Sequence, residues 1–386
     1  MTWASPGFFI DYDDIYRMSN TYYEGNVKMK FDFAIGNPPY QESNDVNNRA
    51  EPIYPLFYDS AESVADKYML ISPARFLFNA GLTSKEWNQK MLSDEHLKVE
   101  YYNQNSAEVF SNTDIKGGVA VMYRDSKKDF GAIEQFVADD RLRRVIKHFP
   151  KNTNNLPSIM FGGRSDLKFN DKFLEAYPQS KEDRLKAIQE KHPTVKQLGP
   201  NEEYELKSPT LDILSYAFWD NKPDDGEYYR ILGLVNGKRE YKYINKVYMT
   251  PRYPEHNNID KWKVFIPKAS GNGQFGETIS APVVSAPGES STPTFISIGA
   301  FDTETEAINV IKYIRTKTAR TLLSVLKITQ DIVPSKWAYV PLQDFTSSSD
   351  IDWSKSIPEI DQQLYRKYGL TEEEIEFIET HVKPME

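Results

Sequence analysis

Along the first third of the chain, apolar positions alternate between two spacings. Phe31 to Gly36 (FDFAIG) is an apolar run closed by glycine, which predicts a buried strand ending in a turn. In IYPLFYDSAESVAD, Ile53, Leu56, Phe57, Ala61 and Val64 recur at helical spacing, and Tyr68 to Ser72 (YMLIS) predicts a second strand. A polar helix follows in LTSKEWNQKML, then a strand from Val99 and a last one from Gly118 to Arg124. Strands alternating with helices predict an α/β domain on a parallel sheet.

After Asp125 the pattern changes to longer polar helices, proline-broken loops and isolated aromatic strands. Ser280 to Thr294 is rich in Ser, Pro, Gly and Ala and reads as a mobile surface loop. FISIGAF follows, then one helix from Thr305 to about Thr329 with Val310, Ile311, Ile314, Leu322, Val325 and Leu326 on one face. Three parts are expected: residues 1–130, residues 131–345 and an acidic helical tail over 346–386. That tail holds ten acidic residues against four basic ones, a net −6 that supplies most of the overall −9.

Charge and cysteine count narrow the chemistry. A net charge of −9 argues against a uniformly basic nucleic-acid coat and leaves room for a local basic groove. Zero cysteines exclude a disulfide scaffold, a thiolate metal site and a cysteine nucleophile. The five histidines are scattered without ligand spacing, so no metal site is expected. No apolar run approaches the roughly 20 residues of a membrane span, and the N-terminus lacks the layout of a secretory signal. A cytoplasmic protein without a membrane partner is the expectation.

The most informative segment is Asn37-Pro38-Pro39-Tyr40, at the carboxyl end of the first predicted strand. Its plain reading is a proline turn in which Asn37 caps and Tyr40 packs. Its chemical reading rests on rigidity. Each proline fixes φ near −65° and pushes the preceding residue out of the helical region, so the Pro38 carbonyl is aimed in one direction. That carbonyl and the Asn37 side-chain oxygen form two converging acceptors, matched to the two hydrogens of an exocyclic amino group. Pulling those hydrogens relocalises the nitrogen lone pair and stabilises the charge that develops as a methyl group arrives. Tyr40 supplies a π-face for a base removed from its helix.

On these residues the chain resembles the amino-group methyltransferases of DNA, most closely the N6-adenine enzymes of the γ type found in restriction–modification systems. FDFAIGNPPY looks like their catalytic motif, with Asn37, Pro38, Pro39 and Tyr40 as catalytic turn. IYPLFYDSAESVAD is similar to the following helix, and MLISPARFL, with Pro73, to the next strand. SAEVFSNTDIKGGVAVMYR resembles the segment whose aromatic, here Phe110, stacks on the flipped base opposite Tyr40. KWKVFIPKASG, TETEAINVIKYIRTKTARTLL and VPLQDF look like a target-recognition domain. The resemblance implies a partial doubly wound methyltransferase sheet over 1–130, an α+β target-recognition domain over 131–345, and S-adenosylmethionine as methyl donor. In that family a glycine-rich loop for the donor precedes the catalytic strand, and no such loop stands before Phe31; after a circular permutation the strand–glycine–helix candidate would be FISIGAFDTETEA near the C-terminus, which has one glycine where such a loop wants two or three. Asn37 is then expected only at the edge of the cofactor site, with an upstream domain or a partner chain supplying the rest.

Double-stranded DNA is the expected partner. Asn236 to Lys268 holds eight basic residues against Glu240, Glu255 and Asp260, interleaved with Tyr241, Tyr243, Tyr248, Tyr253 and Trp262. Lys238, Arg239, Lys242, Lys261 and Lys263 are the phosphate-binding candidates; the plain alternative is a lysine-bearing hairpin turning at Asn236-Gly237. Arg315, Lys317 and Arg320 extend the candidates along the following helix, and Arg141 to Lys151 is a further basic cluster. Three other functions stay open: methylation of another planar amide or amine, a non-catalytic DNA-binding specificity subunit or remnant, and a PD-ExK-like nuclease using Asp224, Glu240 and Lys242.

Overall fold

The computed structural model describes residues 31–42, 51–111, 113–149, 154–256 and 258–385. The chain divides into two compact units, Met1–Ala138 and Asp139–Glu386. Together they make a mixed α/β structure with several small sheets.

In the N-terminal unit the elements run β1 (Ala34–Gly36), β2 (Gln41–Glu42), β3 (Glu51–Pro52), α1 (Tyr54–Val64), β4 (Lys67–Pro73), α2 (Lys85–Ser93), β5 (Leu97–Asn103) and β6 (Val119–Asp125). Pro55 in the first turn suits the start of α1, and the Ser84 hydroxyl accepts from the Trp87 amide to cap α2. Four strands form one sheet in the order β1-β4-β6-β5. β1 is parallel to β4, with Ile35 opposite Met69. β6, however, is antiparallel to both its neighbours, which corrects the expectation of an all-parallel sheet. The physical reason is the connection: a parallel return takes a crossover, usually a helix, whereas the described residues between 104 and 118 carry only the short 3₁₀ turn Ser106–Glu108.

Strand alternation divides the sheet residues between two faces. On one, Tyr68, Leu70, Ala120 and Met122 are buried. An aromatic cluster belongs to the same core: Trp87 packs against Tyr54 at 5.8 Å, Tyr58 at 5.7 Å and Phe76 at 5.1 Å between ring centroids, each pair worth about 0.5–1.5 kcal/mol beyond its area. The Tyr58 hydroxyl shares a 2.8 Å hydrogen bond with Ser72 inside this core. On the other face Met69, Ile71, Val121 and Tyr123 are half-buried. At the β1 edge Phe31 is 41 %, Phe33 43 % and Ile35 77 % exposed, which corrects the expectation of a buried strand from Phe31 to Gly36: among the described residues β1 pairs on one side only, with β4.

The C-terminal unit is built around β12 (Trp262–Pro267), in a sheet of order β13-β12-β15-β7 with β7 (Met160–Phe161), β13 (Val283–Ser285) and β15 (Phe295–Phe301). A second sheet, β10-β9-β14, holds the hairpin of β9 (Tyr228–Val235) and β10 (Lys238–Asn245) beside β14 (Glu289–Ser291). β8 (Leu167–Phe169) pairs with β11 (Met249–Pro251), and its Leu167 and Phe169 share a core with Ile231 and Ile244 of the hairpin. Short helices α3 (Asp140–Ile146), α4 (Asp171–Ala176), α5 (Ser180–Gln189) and α6 (Thr210–Ile213) precede the hairpin in the chain. Asn236 and Gly237 turn the hairpin with φ of +48° and +77°, the left-handed geometry that Asn-Gly favours. Two expectations are corrected. Ser280 to Thr294 contributes β13 and β14, with Ser285, Ser290, Ser291 and Thr292 all buried; its small residues serve close strand packing. The single helix from Thr305 is two, α7 (Glu304–Arg315) and α8 (Lys317–Ser324), broken at Thr316, whose hydroxyl accepts from the Ala319 amide at 3.1 Å and caps α8.

Residues 346–386 form two further helices, α9 (Ile357–Tyr368) and α10 (Glu372–His381), each opened by a capping box: Ser356 with Glu359, and Thr371 with Glu374. Several of their acids are used inside the unit. Asp361 accepts from the Lys317 and Thr318 amides at the start of α8. Glu373 pairs with Arg144 at 2.6 Å and Glu374 with His148 at 3.2 Å. The basic cluster after Arg141 therefore meets the acidic helix.

Candidate catalytic turn and nucleic-acid surface

Asn37 to Tyr40 leave the carboxyl end of β1, where Gly36 lies opposite Leu70 of β4. Pro38 is buried while Asn37 and Pro39 are exposed and Tyr40 is half-buried. One proline thus anchors the turn and the asparagine stands outside the core. The Tyr40 carbonyl accepts from the Ile53 amide at 3.2 Å, and β2 pairs with β3 directly after it, so the turn is fastened to the start of α1. The Tyr40 hydroxyl donates to Asn37 Oδ1 at 2.8 Å. Burial raises the Tyr40 phenol above its ordinary pKa, which keeps the donor protonated. The arrangement presents one side-chain oxygen at a fixed place, with a second lone pair left to accept from a ligand N–H.

Phe110 is half-buried on the β5–β6 connection, its amide donating to the Ser106 carbonyl at 2.8 Å and its own carbonyl accepting from the Thr113 hydroxyl at 2.8 Å. It makes no ring contact with Tyr40 among the described residues.

The residues expected to meet phosphate fall into two groups. Lys238 and Arg239 are exposed at the hairpin turn; the Arg239 guanidinium donates to the Ala281 carbonyl at 3.1 Å and stands over Phe295. Lys242 is held by Asp220 and by Glu240 at 3.0 Å, Lys261 by Asp302, and Lys317 by Glu379 at 2.5 Å. Arg315 is half-buried at the end of α7. Lys263 and Arg320 are corrected outright. Lys263 is 0 % exposed and donates to the Lys261 carbonyl at 2.8 Å, with burial holding its ammonium down at about 8. Arg320 is 1 % exposed and donates to the carbonyls of Arg315, Gly276, Glu277 and Lys383. Neither presents charge to a phosphate, because desolvated cations take fixed protein partners.

The nuclease reading loses its support. Lys242 is spent on carboxylates of its own unit, and among the described residues no group of three His, Asp or Glu could hold a metal. Sequence reasoning missed a cavity of about 350 Å³ beside the hairpin, lined by Leu211, Phe218 and Val235 against Asp212, Asp220 and Lys242. No spacing in the sequence brings those segments together. Among the described residues no helix is long and apolar enough to cross a membrane.

The run FISIGAFDTETEA (Phe295 to Ala307) does not fit S-adenosylmethionine. Its glycine loop would open a helix after a strand, and the strand–glycine–helix candidate near the C-terminus fails on geometry. Gly299 lies inside β15, where a Cβ would collide with the Phe301 ring. The start of α7 is closed by its own side chains, Thr303 accepting from the Glu306 amide and Glu306 from the Asp302 amide.

Residues 8–110 match the model of the family described as Eco57I restriction-modification methylase. A protein of Mycoplasma pneumoniae named an uncharacterized adenine-specific methylase is 31 % identical over 115 residues, which are 28 % of this chain and 27 % of the relative. The chain thus spans about a quarter of the length of that relative. The structure of the Type IIL restriction-modification enzyme MmeI in complex with DNA aligns over 90 % of this chain and 56 % of its own at 9 % identity, with a TM-score of 0.34. The stretch that matches the restriction-modification methylase family, residues 8–110, contains the Asn37 turn.

Proposed function

We propose that this chain carries the catalytic turn and the target-recognition part of a site-specific DNA adenine-N6 methyltransferase of a restriction–modification system. In this reading residues 1–130 belong to a doubly wound catalytic domain, 131–345 recognise the DNA target and 346–386 are a helical extension. S-adenosylmethionine is the methyl source, held chiefly by an upstream or partner segment, with Asn37 at the edge of its site.

The observation that carries the reading is the Asn37–Tyr40 turn, exposed at its asparagine and anchored at Pro38, within the stretch that matches the methylases. The chain's own groups bind and orient. Asn37 Oδ1 and the Pro38 carbonyl accept from the two N6 hydrogens of an extruded adenine, draw its lone pair out of the ring and stabilise positive charge on nitrogen. Tyr40 from one side and Phe110 from the other hold the purine by stacking.

The test is mass spectrometry of nucleosides from the DNA of a host free of adenine methylation that expresses the complete gene unit. N6-methyladenine is expected with the wild type and none with Asn37→Ala at equal protein level. Undiminished N6-methyladenine in Asn37→Ala, or methylcytosine in its place, overturns the reading. Titration calorimetry decides the cofactor clause: micromolar binding of S-adenosylmethionine by this chain alone would show that the donor needs no further segment.

A further inference from the structure

At one end of the β13-β12-β15-β7 sheet, three segments of the C-terminal unit meet. Phe161 of β7 lies opposite Ser297 of β15, and Phe265 and Pro267 of β12 lie opposite Ser297 and Phe295. β7 and β12 therefore run the same way on either side of β15. The chain leaves one at Gly162 and the other at Lys268, at the same end of the sheet and about two inter-strand spacings, roughly 10 Å, apart. The Lys268 amide donates to the Thr294 carbonyl at 2.8 Å, and its carbonyl accepts from the Ile332 amide at 2.9 Å. That second bond brings in the third segment, the 3₁₀ turn Pro334–Trp337. Its Pro334 ring lies 3.2 Å from where a Cβ on Gly162 would stand. Lys336 is in this turn.

The charge collected there is poorly answered. Lys268 is exposed, and its ammonium has no hydrogen bond or ion pair among the described residues. Arg164 is exposed, and among the described residues its only carboxylate is Glu205 at 3.9 Å, which Arg252 already holds at 2.7 Å. Lys336 is half-buried; burial lowers its ammonium, with Asp331 alone acting in the other direction. Gly163 turns with φ of +86° and has open space beside it. The amides of Gly163 and Arg164 donate to no acceptor among the described residues. Free amides in a glycine turn beside cations are the groups that an oxyanion takes up.

We propose that this end of the sheet, the Gly162–Arg164 turn with Lys268 and Lys336, is a phosphodiester-binding site through which the C-terminal unit holds the backbone of duplex DNA. The proposal rests on the reading of DNA as substrate. Interactions of this kind fix register and orientation and carry no sequence information. The site keeps Lys268 from the end of the Asn236–Lys268 run, whose other cations are largely paired internally, and joins it to residues far apart in sequence.

The test is fluorescence anisotropy of the full chain with a labelled duplex between about 50 and 300 mM salt. The double variant Arg164→Ala, Lys268→Ala removes two exposed side chains, so its thermal midpoint is expected to match the wild type. Its binding is expected to weaken roughly tenfold or more at low salt for every duplex sequence alike, and the slope of log K against log salt to fall by about 0.9 for each phosphate no longer neutralised. Lys336→Gln is expected to add to the loss. If the wild type binds duplex DNA and the double variant keeps its affinity and slope, this site is wrong while the DNA reading stands. If the wild type binds no duplex DNA, both fall.

Discussion

The Tyr40 hydroxyl donates to Asn37 Oδ1 at 2.8 Å, across the two prolines that separate them in sequence. In the proposed function Tyr40 stacks on the base, and this bond would let it also orient the acceptor, so its ring and its hydroxyl are separable in experiment. Tyr40→Phe keeps the plate and removes the donor. One hydrogen bond of about 0.5–1.5 kcal/mol corresponds to a two- to tenfold fall in kcat of adenine methylation by the complete enzyme, with KM for DNA unchanged. Tyr40→Ala loses the plate too, about 1–3 kcal/mol of stacking, and raises KM as well. A kcat for Tyr40→Phe equal to wild type would remove the orienting role.

Arg320 tests whether a basic helix residue binds DNA or ties the fold together. Its guanidinium draws together carbonyls of Arg315, Gly276, Glu277 and Lys383 in a buried place. Removing it strands those acceptors. Arg320→Met should lower unfolding free energy by about 2–4 kcal/mol in urea denaturation, and Arg320→Lys should recover little, because an ammonium cannot reproduce the planar fork. The salt dependence of DNA binding by folded Arg320→Lys should equal that of the wild type. A stable Arg320→Met with a shallower salt slope would reverse the assignment.

Periodicity made much of the first unit legible, and the reasons it failed elsewhere are specific. Tyr68 to Ser72 forms the strand its apolar run predicts, with buried and half-buried positions in alternation, and α1 forms where the helical spacing places it, although it buries Tyr54, Tyr58 and Ala61 and leaves Leu56 49 % exposed. Direction is not encoded in a two-residue period, so β6 could be found but not oriented. Thr316 broke a helix whose apolar phase runs on through Leu322, because a threonine hydroxyl can cap from within a continuous pattern. Ser, Pro and Gly between 280 and 294 described a loop by composition, whereas small side chains are also what lets β14 lie beside β9. The hairpin at Asn236-Gly237 was readable from turn chemistry alone. The pairing of Lys242 with Asp220 and of Lys261 with Asp302 was not, since ion pairs across a fold leave no local signal. The exposed Asn37 and buried Pro38 agree with a presenting turn, and that motif was legible because its residue types restrict the backbone directly.

Asp361 holds the acidic C-terminal helices to the core by capping α8 alongside the local residue Thr316. Its carboxylate accepts from the Lys317 amide at 2.8 Å, the Thr318 amide at 2.9 Å and the Thr318 hydroxyl at 2.7 Å. Asp361→Asn keeps the shape and sets an N–H against one of those donors. A loss of about 1–2 kcal/mol is expected, a fall in thermal midpoint of roughly 2–8 °C for a unit of this size. An unchanged midpoint would mean that water or another side chain serves the two amides equally well.

Lys263 supplies a pH dependence with a definite sign. Burial lowers its folded-state pKa from 10.5 to about 8, with Asp166 opposing the shift. Below about pH 8 the lysine is protonated in both folded and unfolded chains, and the folded state carries the whole cost of a buried cation. Between about 8 and 10.5 the unfolded chain binds more protons than the folded one, so unfolding free energy rises with pH. The full gain corresponds to the shift, about 3 kcal/mol at most. Lys263→Met lacks the titration. Urea denaturation of both proteins at pH 7.5, 8.5 and 9.5, short of the range where tyrosines ionise, should show the wild type gaining stability relative to the variant at each step. Parallel curves would mean that Asp166 and the carbonyls of Lys261 and Ala286 compensate the buried charge in full.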